Sequence, residues 1–341
     1  MEGEAALGDG SFGAEVGVRR RSASISDDYS VQKTNDDATE SKYAAVKLNY
    51  YYDNFIDYFT HGVHRRDPEI STGYWARVAA VTSVVRQFID ATGGHCQIIS
   101  LGAGFDTLYW RLKETNQQIH SYVEVDFSSV TAKKIRLIRK PHAWPTLPSF
   151  FSQPIKDDHH TDLHAGDYHL IGADLRQIAE FDEKLNLSDL DPELPTLVLA
   201  ECVLVYMAAE KSHELLNYLS NKFKTIGFLN YEQVNTDDRF GEIMVKNLKD
   251  RGIHLPGLAI CTNLDSQKNH FRTANFETIN AWTVLHVYQK FFSPSEIERI
   301  ESIERLDEKE LLTQLLEHYS FVYAFKDGSG NHHELAEIHP K

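Results

Sequence analysis

The sequence predicts an α/β protein, with a mostly parallel sheet covered by helices on both faces and a helical extension before it. Three observations point there. Short apolar runs alternate with segments of helical period from residue 96 onward. The first of these runs ends in a tight glycine turn, Gly102-Ala103-Gly104. Ahead of it, residues 36–90 repeat their apolar positions at the spacing of a helix and not of a strand.

Residues 1–30 are rich in Gly, Ala, Ser and Arg without periodicity and read as a disordered tail. Ser22, preceded by Arg19 and Arg20, is a candidate site for a basophilic kinase within it. A helix is expected over 36–59, where Tyr43, Val46, Tyr50, Phe55, Ile56 and Phe59 recur at helical spacing. Pro68 opens a second helix over 70–90, with Tyr74, Val78, Val81, Val85 and Phe88 on one face and Gly93-Gly94 as its stop. Residues 31–92 thus form a helical cap, and 93–341 a Rossmann-like core with substrate-binding insertions.

Within the core, strands are expected at 96–101, 121–126, 169–174, 196–201 and 227–232. Helices follow through Leu112, over 130–139, through Leu219 and over 239–249. Residues 141–166 hold several prolines, histidines and aspartates and read as an irregular insertion. A sixth strand is expected within 276–287, an acidic helical stretch over 293–317, and a last strand at 319–325. Right-handed crossovers bring the carboxyl ends of such strands to one edge, where ligands settle.

Composition narrows the function. The 341 residues are 42% apolar and 11% aromatic, which suits a globular protein with one substantial core or two modest ones. The net charge of −15, from 35 basic against 50 acidic side chains, repels polyanions, so no nucleic-acid partner is expected. No apolar run is long enough to cross a bilayer, and the first thirty residues lack the apolar stretch of a signal peptide. Cys96, Cys202 and Cys261 are scattered, suggesting neither disulfides nor a zinc knuckle but a reducing cytoplasm. His160 and His164 share an i, i+4 spacing, yet lie in the Pro- and Asp-rich insertion, and no metal is expected. A monomer is the default expectation.

The chemistry concentrates at strand ends. Two glycines one residue apart let the backbone turn tightly, either as a plain structural turn or to approach a ligand. A dinucleotide fingerprint asks for Gly or Ala at 107, where Thr107 stands, and Asp106 places a negative charge where a pyrophosphate would bind. A cationic sulfonium tolerates that carboxylate better. Glu124 and Asp126 end the second strand on the same side; Asp126, the nearer to the edge, is the candidate for both ribose hydroxyls, with a helix N-cap as the plain alternative. Asp174 and Leu175 follow the third strand and suit an adenine, the carboxylate taking its amine and the leucine its face. Glu201 ends an otherwise apolar fourth strand, which calls for a cationic partner: the methionyl part of a donor, or a Lys or Arg. Tyr206 follows in the same loop, facing the reacting groups or packing as core. By spacing alone Lys42 and Arg77 read as surface helix residues.

Together, residues 73–78, 97–107, 124–127, 171–176, 194–207, 230–235 and 238–244 resemble the leucine carboxyl methyltransferase family, and the likeness spans roughly 36–325. The resemblance implies an S-adenosylmethionine-dependent methyltransferase fold and methylation of the C-terminal leucine carboxylate of the protein phosphatase 2A catalytic subunit. It implies donor contacts from Lys42, Arg77, Gly102, Asp126, Asp174, Leu175 and Glu201. Arg77 is further expected to hold donor or substrate carboxylate, and Tyr206 to position the incoming oxygen. Two other readings stay open. One is the related methyltransferase of transfer-RNA wybutosine synthesis, which continues into a kelch-repeat region absent here. The other is a non-catalytic phosphatase-binding protein of the same fold.

Overall fold

A computed structural model describes residues 12–341 except 61, 63, 159, 307 and 308, and for 12–27, 157 and 158 it describes the backbone alone. Helix α1 (Phe12–Lys47) leads to α2 (Pro68–Ala91), then β1 (Gln97–Leu101), α3 (Leu108–Glu114), β2 (Ser121–Asp126) and α4 (Ser128–Ile138). The hairpin β3 (Lys156–Asp158) and β4 (Asp162–Ala165) precedes β5 (Tyr168–Gly172) and α5 (Ile178–Leu185). Then come β6 (Thr196–Glu201), α6 (Ala209–Lys222), β7 (Thr225–Gln233), α7 (Arg239–Asp250), α8 (Leu264–Thr273) and β8 (Thr278–Thr283). Three short helices, α9 (Val284–Lys290), α10 (Pro294–Glu301) and α11 (Lys309–Glu317), lead to β9 (Tyr319–Asp327).

Among the described residues nine strands form one sheet in the order β3-β4-β5-β2-β1-β6-β7-β9-β8. Its five central strands, β5, β2, β1, β6 and β7, are parallel. Antiparallel strands close both edges. Alternation along the central strands feeds two separate cores. Ile98, Tyr122 and Leu197 pack with Trp75, Val81 and Val85 of α2 on one face. Ile99, Val123 and Val198 pack with Leu215, Leu216 and Leu219 of α6 on the other. Burial on both faces is why these strands read as unbroken apolar runs. The order reverses at β1, whose neighbours β2 and β6 lead away in opposite directions, and this opens a crevice at the carboxyl ends of β1 and β6.

The structure departs from the expectations at two points and reaches into the stretch read as a tail: α1 begins at Phe12, and Asp28 on it is held by the guanidinium of Arg176 at 2.8 and 2.9 Å. Residues 1–11 and the side chain of Ser22 lie outside the described residues. The helix expected over 36–59 stops at Lys47, and after the left-handed Asn49 the apolar residues Phe55, Ile56 and Phe59 pack from and around a short 3-10 turn. The insertion 141–166 is not wholly irregular: β3 and β4 extend the sheet past β5, with His164 and His169 joined ring to ring at 2.8 Å. Among the described residues no cluster of metal-ligating side chains forms, and no helix is long and apolar enough to cross a membrane.

Candidate active site

The crevice deepens into a cavity of about 330 Å³ under α1, between α2 and the carboxyl ends of β1, β2, β5, β6 and β7. That is within the size range of small-molecule sites. Lys42, Arg77, Gly102, Asp126, Asp174, Leu175, Glu201 and Tyr206 all line it. The structure therefore brings together every residue expected at the site. Lys42 and Arg77 point inward, not to solvent as their spacing alone suggested, because α1 and α2 cross the strand ends and expose their polar faces to the cavity.

At its floor is the turn after β1. Gly102 and Gly104 both have positive φ, 57° and 52°. A Cβ at Gly102 would come within 2.6 Å of a Val203 methyl, and one at Gly104 within 2.3 Å of Asn35 Oδ1. Backbone conformation and lack of space both demand glycine here. Asn35 of α1 accepts from the Phe105 amide at 2.8 Å, and Asp106 accepts from Leu108 N–H at the start of α3. Lys42 Nζ meets Asp106 Oδ2 at 2.5 Å. Burial disfavours the charge on Asp106, but Lys42 and Arg111 hold its carboxyl below the usual range.

Asp126 and Glu124 part ways as their positions required. Glu124 is fully buried, bound to Lys134 and to the Tyr168 hydroxyl. Lys134 also donates to the Asp106 carbonyl at 2.8 Å, tying this inner pair to the glycine turn. Asp126 reaches the cavity, accepting from Gly104 N–H at 2.8 Å and Phe127 N–H at 2.7 Å. The N-cap of α4 is Phe127, so Asp126 stands one residue before the cap and bonds the Phe127 amide there. Burial pushes its carboxyl up to about 6, against the pull of the two amides.

Asp174 accepts from the Nε and Nη2 of Arg176, and Arg176 continues to Asp28 of α1. Glu201 has the cationic partner its apolar strand called for: Arg77 Nε lies 2.5 Å from Oε2, and Nη2 reaches the Glu201 carbonyl at 3.3 Å. Burial disfavours the Arg77 charge, but Glu201 holds its pKa above the ordinary value. The guanidinium also sits 4.7 Å from the ring centre of Tyr231, which stacks on Tyr319 at 5.3 Å with only 7° between planes. Burial likewise raises the Tyr206 phenol, which keeps its proton at neutral pH.

Residues without an assigned role in the sequence reading complete the wall: Asn35, Arg176, Tyr231, Arg251 and Tyr319. Arg176 follows Asp174 so closely that its adjacency was a usable signal. Asn35 and Tyr319 carry none, since they arrive from the two ends of the chain. Among the described residues the lining holds six carboxylates (Asp28, Asp37, Asp106, Asp126, Asp174, Glu201) against four cations (Lys42, Arg77, Arg176, Arg251), a balance that favours a cationic ligand.

The family model for leucine carboxyl methyltransferases matches residues 19–220. Leucine carboxyl methyltransferase 1 of Caenorhabditis elegans is 48% identical over 332 residues, covering 95% of this chain and 99% of the relative. The protein of the same name from Bos taurus is 40% identical over 312 residues, covering 89% and 92%. The human tRNA wybutosine-synthesizing protein 4 is more distant, 33% identical over 311 residues, and the match covers only 45% of its length.

Proposed function

The chain belongs to the leucine carboxyl methyltransferase family, and on that premise we propose that it methylates the α-carboxylate of the C-terminal leucine of the protein phosphatase 2A catalytic subunit. The methyl donor in this reading is S-adenosylmethionine, the products a methyl ester and S-adenosylhomocysteine, and the enzyme works as a cytoplasmic monomer. The observation that carries the reading is the Arg77–Glu201 pair at the reversal point of the sheet, beside the glycine turn and Asp126.

The residues present fit the donor. The glycine turn leaves space that a Cβ would fill, Asp126 offers a carboxylate for ribose hydroxyls, Leu175 an apolar face for adenine, and Glu201 a negative charge near the sulfonium. Asp174 meets the adenine amine in this reading, with Arg176 holding its carboxylate in place. Lys42 fixes Asp106 and so the turn itself. Free thiols at Cys96, Cys202 and Cys261 suit a reducing compartment.

A leucine carboxylate is already ionised at neutral pH, so no general base is needed. Once bound, the donor supplies a methyl group on positively charged sulfur: the carboxylate oxygen forms a bond to that carbon as the S–C bond breaks, and the electron pair stays on sulfur. Arg77 holds the carboxylate at the wall while Glu201 and the Tyr231 ring keep the guanidinium in one orientation. Tyr206, still protonated, donates to the incoming oxygen and aligns it. The roof of α1 and the walls of α2 and α11 exclude water, which would otherwise stabilise the separated charges of the reactants.

The test is labelled methyl transfer from S-adenosylmethionine to phosphatase catalytic subunit, intact or lacking its last leucine. Label is expected on the intact subunit alone, in an alkali-labile ester. Label that persists after the leucine is removed rejects the acceptor.

A further inference from the structure

Glu232 is a buried carboxyl group outside the lining of the cavity. It stands on β7, directly after Tyr231, and is 1% exposed. Its Oε2 accepts from the Val205 N–H at 3.1 Å, and its Oε1 has no hydrogen-bond partner among the described residues. The Val203 and Gln233 amides also favour its charge, yet a carboxyl group is expensive inside a sheet where every other β7 side chain is also buried. An apolar side chain would serve packing better, so the reason for an acid lies in what it holds.

What it holds is a single helical turn, Leu204–Tyr206. The turn follows Cys202, whose φ of 57° is unusual for a residue other than glycine. The Cys202 amide is spent on the Tyr231 carbonyl at 2.7 Å, so the chain leaves β6 in a forced direction. Val205, at the middle of the turn, has both backbone groups engaged from outside it. Its N–H goes to Glu232, and its carbonyl accepts from Gly257 N–H at 2.9 Å. The next residue is Tyr206, whose ring lines the cavity with Thr34 of α1 beside its hydroxyl.

We propose that Glu232 is a positioning residue for methyl transfer, gripping the Leu204–Tyr206 turn from beneath and so holding the Tyr206 hydroxyl against the donor cavity. This rests on the reading of Tyr206 as the group that meets the incoming carboxylate. The grip needs an acceptor, not a charge. Burial pushes the Glu232 carboxyl up to about 8, against the pull of the Val205 amide, Arg77 and the Gln233 and Val203 amides, so it is largely neutral at pH 7. A neutral carboxyl offers its carbonyl oxygen to Val205, as a glutamine amide also can.

Three variants separate the possibilities. Glu232→Leu fills the space but removes the acceptor; Glu232→Gln keeps it; Tyr206→Phe removes the hydroxyl being held. Each is assayed for S-adenosylmethionine affinity by calorimetry, for kcat and KM with a leucine-terminated phosphatase tail, and for hydrogen exchange at the Val205 amide. For Glu232→Leu, kcat is expected to fall by about a hundredfold, as a misplacement of about 1 Å implies, with donor affinity kept within about threefold. Val205 exchange should accelerate in that variant, and Glu232→Gln should recover most of the lost turnover with slow exchange restored. In a Tyr206→Phe background, Glu232→Leu should add less than about threefold, because both changes remove one function.

Fully additive losses, or a folded Glu232→Gln enzyme with slow Val205 exchange and no turnover, would overturn the proposal. If Glu232→Leu does not fold, the glutamine variant decides alone: recovered turnover supports an acceptor role and lost turnover refutes it. A wild-type enzyme inactive on the tail would refute the substrate assignment instead, and the Val205 exchange would still report whether Glu232 grips the turn.

Discussion

Arg77 of α2 and Glu201 at the end of β6 meet at 2.5 Å across 124 residues of chain, each with less than a fifth of its side chain exposed. Their contact joins the helical cap to the sheet at the point where the strand order reverses. A pair so enclosed contributes to stability, and mutation separates that contribution from the chemical role proposed for Arg77.

Arg77→Ala leaves the Glu201 carboxylate buried without its partner. Removing one member of a buried pair costs about 3 kcal/mol, so a clear fall in melting temperature is expected. The double variant Arg77→Ala/Glu201→Gln should regain most of that stability, because no uncompensated charge remains. Turnover should stay down by about a hundredfold or more in both, since neither supplies the cation for the substrate carboxylate. Thermal melts beside methyl-transfer rates check this; near-normal turnover in the single variant removes Arg77 from the reaction.

Donor affinity should rise with pH between 5 and 7. Burial raises Asp126 to about 6 in the free protein, so below that value its carboxyl carries a proton. Accepting two ribose hydroxyls favours the ionised form, and binding must then expel the proton; the expulsion weakens binding at low pH and ceases to matter above about 7. Calorimetry in buffers of different ionisation enthalpy should detect proton release near pH 5.5. Asp126→Asn should bind more weakly throughout and lose the pH dependence; an unchanged slope in that variant places the proton elsewhere.

Gly102→Ala should abolish tight donor binding. Its φ of 57° is strained for alanine, and the new methyl would come within 2.6 Å of Val203. A strain of about 1–3 kcal/mol accompanies the loss of the close backbone approach. A variant that melts only slightly earlier but has lost at least tenfold in donor affinity, roughly 1.4 kcal/mol, is the expected result. Full affinity in calorimetry would mean the donor does not lie over this turn.

Salt should loosen the roof. The outer part of α1 is fastened by Asp28–Arg176, Asp36–Lys133 and Asp37–Arg251, all partly or well exposed. Such pairs contribute about 0.2–1 kcal/mol each and are screened by salt. Its inner part is anchored instead by buried Ala44 and Ala45. Donor release measured by stopped flow should therefore speed up severalfold between about 0.05 and 0.5 M salt, where the screening length shrinks to a few ångström. Arg176→Ala should be faster at low salt and less salt-sensitive. A release rate indifferent to both shows that α1 does not gate the cavity.

Much of the site was legible one strand at a time. Asp126, Asp174 and Glu201 each end an apolar run, and an acid in that place stands out because a buried strand tolerates it only with a partner. The glycine turn was legible because few sequences other than Gly-x-Gly allow two left-handed residues so close together. Lys42 and Arg77 were not legible from spacing, since a long cationic side chain on a helix is ordinarily solvated, and only the resemblance to relatives drew attention to them. The hairpin in 141–166 escaped because its strands are three and four residues long, too short for a pattern to repeat. Glu232 escaped for a different reason: the run 227–232 shows that it is an acid in a strand, but not which amide stands above it.

The sequence by itself determined the alternation of strands and helices, the placement of acids at strand ends and the turn that follows β1, because each depends on residues within a few positions of one another. Tertiary structure alone decided that α1 and α2 fold across the sheet edge. That crossing turns Lys42 and Arg77 inward and sets Asn35 on the glycine turn, while the pairing of β9 with β7 brings Tyr319 beside Tyr231. Those contacts link segments up to 124 residues apart, and they form only where burial of both sheet faces brings the helices over the strand ends.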